Sequence, residues 1–260
     1  MAAGRDFHHE EETMRGATAL LLIALFGLGD AAWGQWTEDA QNCFELTKPG
    51  SMDAAKALPF CERAIQSGKL INRNLATIYY YRGTIYTQRR DHVRAIQDYG
   101  EAVRLDPLLT QGYINLGFAR FFLGQFAAAV PDFSRAVRQR PEDIYANLWN
   151  FIVQSRSGGD GVPGLLQNAT NFELEQWPGQ IVSMYLGHLS PQEVIKAAVD
   201  LDPKKQRDKK CEAYFYSAEL FLIQGKKSEA IKMLKAAVAA NPGGIVEVEA
   251  AKVELKRLGG

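Results

Sequence analysis

The chain has 260 residues, of which 47% are hydrophobic and 23% charged, with 30 Lys+Arg balanced by 30 Asp+Glu. That length and apolar fraction allow a sizeable buried core and exclude a disordered chain as the default reading. Residues 35–260 hold 28 basic and 25 acidic residues, a bias too weak to predict a nucleic-acid partner or an anionic membrane surface from the chain as a whole.

Residues 1–34 read as an N-terminal extension and signal peptide. Arg15 precedes an apolar run from Ala17 to Leu28, and Ala31, Ala32 and Gly34 follow, which is the order of charge, apolar stretch and small residues in a cleaved secretory signal. The run is shorter than the roughly 20 apolar residues that span a bilayer. Cleavage after Gly34 is therefore predicted, with no stable membrane anchor, and the chain is expected to be exported. Met14 is a second candidate start, because Glu10, Glu11 and Glu12 are unlike the basic beginning of a signal. His8, His9 and Glu10 are metal-ligating residue types, but a segment removed on export holds no working site.

Residues 35–69 predict a helical hairpin with Cys43 on its first helix and Cys61 on its second. An oxidising compartment permits a disulfide between them, worth about 3 kcal/mol in the loop-entropy model. Two buried thiols are the alternative. Cys211 has no obvious partner in sequence and is expected to be buried.

The stretch 76–109 aligns on 110–143 without a gap. Tyr79, Gly83, Ala95, Tyr99, Ala102 and Pro107 recur as Tyr113, Gly117, Ala129, Phe133, Ala136 and Pro141. This 34-residue spacing is the pattern of the tetratricopeptide repeat (TPR), and each position has a mechanical reason. Gly83 or Gly117 lets the first helix approach the second, where Ala95 or Ala129 faces it. Tyr99 and Phe133 fill the space between hairpins, and the prolines stop the second helix.

Beyond 143 the pattern breaks. Residues 144–210 read as a divergent helical insert: a helix from Asp143 to Arg156, a break at Ser157 to Gly161 and Pro163, and a restart at Trp177-Pro178. A capping box, Ser190-Pro-Gln-Glu193, is expected to open a helix running through Asp200, and the run Asp202 to Lys210 is expected to be a solvated basic loop. The register returns over 211–243 with Tyr214, Ala218, Ala230, Leu234, Ala237 and Pro242. Residues 245–258 are amphipathic, with Lys252, Lys256 and Arg257 on the polar face, as a terminal capping helix requires. The expected fold is all-α: a TPR helical-hairpin superhelix of about four repeats, the first of them degenerate, with the 211–260 segment closing it.

Four blocks narrow the resemblance: Tyr145 to Trp149, Trp177 to Gly187, Cys211 to Tyr216, and Val246 to Leu258. In these the chain resembles the NlpI-like family of exported bacterial TPR proteins. The resemblance implies a periplasmic, homodimeric adaptor that gathers peptidoglycan hydrolases and a processing protease at the cell envelope. Members of the lipoprotein kind carry a cysteine directly after the signal. Here Gln35 stands at that place and the first cysteine is Cys43, so lipid anchoring is not expected.

Helical spacing places Tyr80 and Tyr81, then Asn115, Phe118 and Phe122, then Trp149, on the concave face that first helices line in a stacked array. Aromatic residues on such a face are typical anchors for a partner peptide or helix. The competing reading is that they are core, covered by the C-terminal part of the chain or a second subunit. No phosphate loop, zinc-ligand pair or nucleophile elbow occurs in the sequence, and His92 and His188 read as surface residues. No enzyme activity, cofactor or metal is therefore expected. The two functional readings are a recruiting adaptor and a structural subunit of a larger envelope complex.

Overall fold

The computed structural model describes residues 36–48, 53–240 and 245–259. The predicted signal segment and Pro242 lie outside them. The described residues form thirteen α-helices and no strand, and none of these helices is long and apolar enough to cross a membrane. They fall into two compact units.

The first unit holds α1 (Glu38–Glu45), α2 (Ala54–Gln66), α3 (Asn72–Gln88) and the C-terminal end of α4 (His92–Leu105). Thr37 opens α1 by accepting from the Ala40 amide at 3.1 Å, and Asp53 opens α2 by accepting from the Lys56 amide at 3.1 Å, each satisfying a donor the helix cannot. Small residues at helical spacing on α2, Ala57, Cys61 and Ala64, are fully buried together with Ala40, Cys43, Ile78 and Ile85. Their size lets the helices approach closely. Cys43 and Cys61 are joined by a disulfide with their Cα atoms 4.9 Å apart.

The second unit holds the start of α4, α5 (Thr110–Phe122), α6 (Phe126–Gln139), α7 (Ile144–Arg156), α8 (Val162–Asn168), α9 (Gly179–Tyr185), α10 (Pro191–Ala197), α11 (Pro203–Ile223), α12 (Lys227–Ala240) and α13 (Val246–Leu258). In the α5–α6 hairpin a Cβ at Gly117 would lie 2.5 Å from the Phe133 ring, so the glycine sets the helix separation. Arg120 donates to Asp132 at 2.5 Å and to the Ala128 carbonyl at 2.9 Å. Burial outweighs this guanidinium and pushes the Asp132 carboxyl up to about 6. In the α11–α12 hairpin Ala218, Ala230, Leu234 and Ala237 are fully buried, in the same register.

Residues 144–197 form four α-helices, α7 to α10, and a 3-10 turn at Ala169–Asn171, separated by short connections. Two expectations for 144–210 change. The Ser190 capping box forms, but its helix ends at Ala197, because Ala198 leaves the helical region at φ −72°, ψ 67°. The run expected as a basic loop is instead the start of α11. Asp202 accepts from the Lys204 and Lys205 amides at 2.8 and 2.9 Å, and Pro203 occupies the first turn, where its missing N–H costs nothing.

The closing helix α13 is also more than an amphipathic cap, since Glu247 and Glu254 are buried in it. Glu254 joins a network with Glu219 of α11, Arg156 of α7 and Arg257. Arg156 donates to Glu219 at 2.6 Å and to Glu254 at 3.2 Å, while Arg257 pairs with Glu254 and donates to the Phe121 carbonyl at 3.2 Å. Both guanidinium groups also lie over the Phe126 ring. Three helices, α7, α11 and α13, are thus tied by charges around two buried carboxylates, where loss of one partner would strand the others.

Candidate functional site

The six aromatic and polar residues expected on one face divide into three situations. On the first unit, Tyr80 and Tyr81 are half-buried. Their rings stand 5.4 Å apart, Phe44 packs edge-on to Tyr81 at 5.3 Å, and Trp36 packs on Phe44 at 5.9 Å. Lys48 lies 4.6 Å above the Phe44 ring. Trp36 is exposed, so this aromatic string reaches solvent at one end. Burial, and then neighbouring Tyr80, raise the Tyr81 phenol above its ordinary value.

On the second unit, α5 presents Asn115, Phe118 and Phe122 half-buried, with Gln111 exposed beside them. Gln111 donates to the Asn115 side-chain oxygen at 3.1 Å. Phe122 stacks at 4.9 Å on His92, which the sequence had placed as an ordinary surface residue. Phe118 sets its edge against Trp149 at 4.9 Å and Phe133 at 5.3 Å.

Trp149 follows the competing reading and not the groove reading: it is 1% exposed and belongs to the core. Phe118, Phe121, Phe133, Phe215 and Tyr216 surround it, with ring centroids between 4.9 and 6.3 Å. Phe215 and Tyr216 belong to α11, so the C-terminal part of the chain covers this indole. Helical spacing identified the face of α7 but could not reveal that another helix lies on it.

The most distinctive block, Trp177 to Gly187, also turns inward. The Trp177 indole donates to Glu212 at 2.8 Å, and the Tyr145 hydroxyl donates to the same carboxylate at 3.0 Å. Tyr185 stacks on Phe151 at 4.3 Å and donates to the Tyr216 carbonyl at 3.0 Å. A Cβ at Gly179 would lie 2.1 Å from the Glu173 carbonyl oxygen, so only glycine fits there. Sequence reasoning missed the buried carboxylates here. Burial, then neighbouring Glu247, push Glu212 up to about 7, against donation from Trp177 and Tyr145. Burial raises Glu247 as well, opposed by donation from Tyr216 at 2.9 Å.

This arrangement packs the helices together and leaves the one free cysteine among the described residues unactivated. Cys211 is buried and its thiol is pushed up to about 12, first by burial and then by Glu247 and Glu212, the opposite of what a nucleophilic thiolate requires. No group of His, Cys, Asp and Glu able to hold a metal ion occurs among the described residues.

Residues 110–143, the α5–α6 hairpin, match the family described as Tetratricopeptide repeat. The chain carries a tetratricopeptide repeat. A solved tetratricopeptide repeat protein from Parabacteroides merdae is similar, with a TM-score of 0.50, 14% identity and coverage of 84% of this chain and 98% of that one. That likeness bears on the fold alone, which is all-α and built of TPR helical hairpins. YrrB, described as a TPR protein with an unusual peptide-binding site, superposes with a TM-score of 0.48 and 16% identity, covering 84% of this chain and 92% of its own.

Proposed function

We propose that the protein is a periplasmic scaffold, without enzymatic activity, that captures segments of other proteins on the α5 face. The observation that carries this reading is the half-open state of Asn115, Phe118 and Phe122. Large aromatic rings that keep part of their surface in water, next to a side-chain amide pair, suit capture of an apolar peptide or helix. The apolar run after Arg15 and the Cys43–Cys61 bond support export to an oxidising compartment. The NlpI-like blocks narrow the partners to peptidoglycan hydrolases or a processing protease, and suggest a homodimer.

A photo-crosslinking residue at Phe122, with a control at exposed Glu229 of α12, tests the reading in cells. Crosslinks to a cell-wall hydrolase or envelope protease at position 122 alone are expected. Recovery of no cell-wall enzyme would remove the envelope role, and equal recovery at both positions would remove the α5 face.

A further inference from the structure

Between α10 and α11 the chain makes a short, heavily braced loop. Gln206 ties both sides of it, accepting from the Asp200 amide at 2.7 Å and donating to the Ala198 carbonyl at 2.8 Å. The Asp202 amide donates to Asp200 at 3.0 Å. Lys209 pairs with Asp200 at 2.8 Å and donates to the Val199 carbonyl at 3.1 Å, while Lys210 donates to the Ile195 carbonyl at 2.6 Å. These hydrogen bonds brace the loop backbone, yet Val199 is 61% and Leu201 103% exposed.

Single exposed aliphatic residues are ordinary. Two of them held outward by a fixed backbone, one with its whole side chain in water, are less so. The next turn of chain is basic: Lys204, Lys205 and Arg207 are all exposed. Residues 200–210 hold five cations, Lys204, Lys205, Arg207, Lys209 and Lys210, against three acids, Asp200, Asp202 and Asp208, and Lys209 is paired with Asp200. The result is an apolar protrusion beside a net positive stretch.

We propose that this loop docks reversibly on an anionic phospholipid surface. Val199 and Leu201 would enter the boundary between headgroups and acyl chains, and Lys204, Lys205 and Arg207 would meet lipid phosphates. A protein partner is the weaker match, because a stable protein interface buries on the order of 1,200 Å² or more, whereas the apolar part here is two side chains standing clear of the surface. Lipid, being fluid, conforms to so small a protrusion. The weak charge of the whole chain does not oppose this, since membrane attraction acts over about a Debye length and depends on the local cations.

The test places an environment-sensitive fluorophore on the full chain at Leu201→Cys; Cys211 is buried and Cys43 and Cys61 are bonded, so the label is selective. Vesicles of equal parts phosphatidylcholine and phosphatidylglycerol are expected to shift its emission to the blue, and phosphatidylcholine alone is not. Each of Lys204→Gln, Lys205→Gln and Arg207→Gln should weaken binding about fivefold, the equivalent of about 1 kcal/mol per charge, with helicity unchanged. Because the label reports the loop itself, attachment through the apolar run of residues 17–28 would not imitate this result. An unshifted label, an equal shift on both vesicle types, or a shift produced by a soluble protein and not by lipid would each overturn the proposal.

Discussion

Helices α5 and α11 hold the same place in the 34-residue register, each the first helix of a hairpin, yet one is half open and the other enclosed. On α5, Asn115, Phe118 and Phe122 keep part of their surface in water. On α11, Cys211 to Ala213 and Phe215 to Glu219 are buried. The cause is what lies outside the repeat: α7, α9, α10 and α13 all pack against α11 in addition to its hairpin partner α12. A repeat position therefore decides which residues meet the partner helix, and the insert decides which of the others meet water.

The largest expected effect follows from the residue that bridges the two situations. Trp149→Ala removes the ring on which α11 and the inner edge of Phe118 both rest, and should cost about 4 kcal/mol in chemical denaturation, as truncation of a buried tryptophan does. Phe122→Ala, on the open side, should lower stability by less than half as much while reducing partner crosslinking. If the two variants lose stability equally, the open and enclosed faces are not distinct.

Gly117→Ala is the next step down. Its Cβ would sit 2.5 Å from the Phe133 ring, and that ring is held by Phe118 at 5.3 Å and Trp149 at 6.2 Å, so it has little room to yield. Overpacking of this kind costs about 3 kcal/mol at the upper end of the usual range. Thermal melts of the single variant measure it. A compensating Phe133→Leu in the same chain should recover part of the loss, whereas a failure to recover would place the strain elsewhere.

The hairpins were legible because their signals are local. Gly117, Ala129 and Phe133 repeat the earlier Gly83, Ala95 and Tyr99 at a fixed distance, and small residues at helix contacts carry their own explanation. The helical start at Asp202-Pro203 was also written in the chain, as a capping aspartate followed by proline, but the dense charge after it suggested solvent-exposed loop. The enclosure of Trp149 stood in the sequence only as one of two readings, since spacing gives a face and not its cover. Nor were the buried carboxylates, because glutamate is ordinarily placed outside. One signal existed: Glu212 and Glu219, like Glu247 and Glu254, stand seven residues apart, and so share one face of their helices across two turns.

The smallest predicted effect probes the enclosed helix directly and depends on pH. Glu212 receives donors from Trp177 and from Tyr145 of α7, and it faces the carboxylates of Glu247 on α13 and Asp208 on α11. Its folded-state value of about 7 lies above the ordinary 4.5, so the folded protein holds this proton more tightly than the unfolded chain. The resulting stability is fully present below about 4.5 and is lost as pH rises through 7. Glu212→Gln keeps an oxygen for Trp177 and Tyr145 while removing the charge. It should raise stability by about 1–2 kcal/mol at pH 8, with about a quarter of that gain at pH 5. Because Glu247 is also raised by burial and coupled to Glu212, the variant should reduce the slope of stability against pH without flattening it. Denaturation midpoints across pH 5 to 8 would show this, and an unchanged slope would mean that α11 does not exclude water from Glu212.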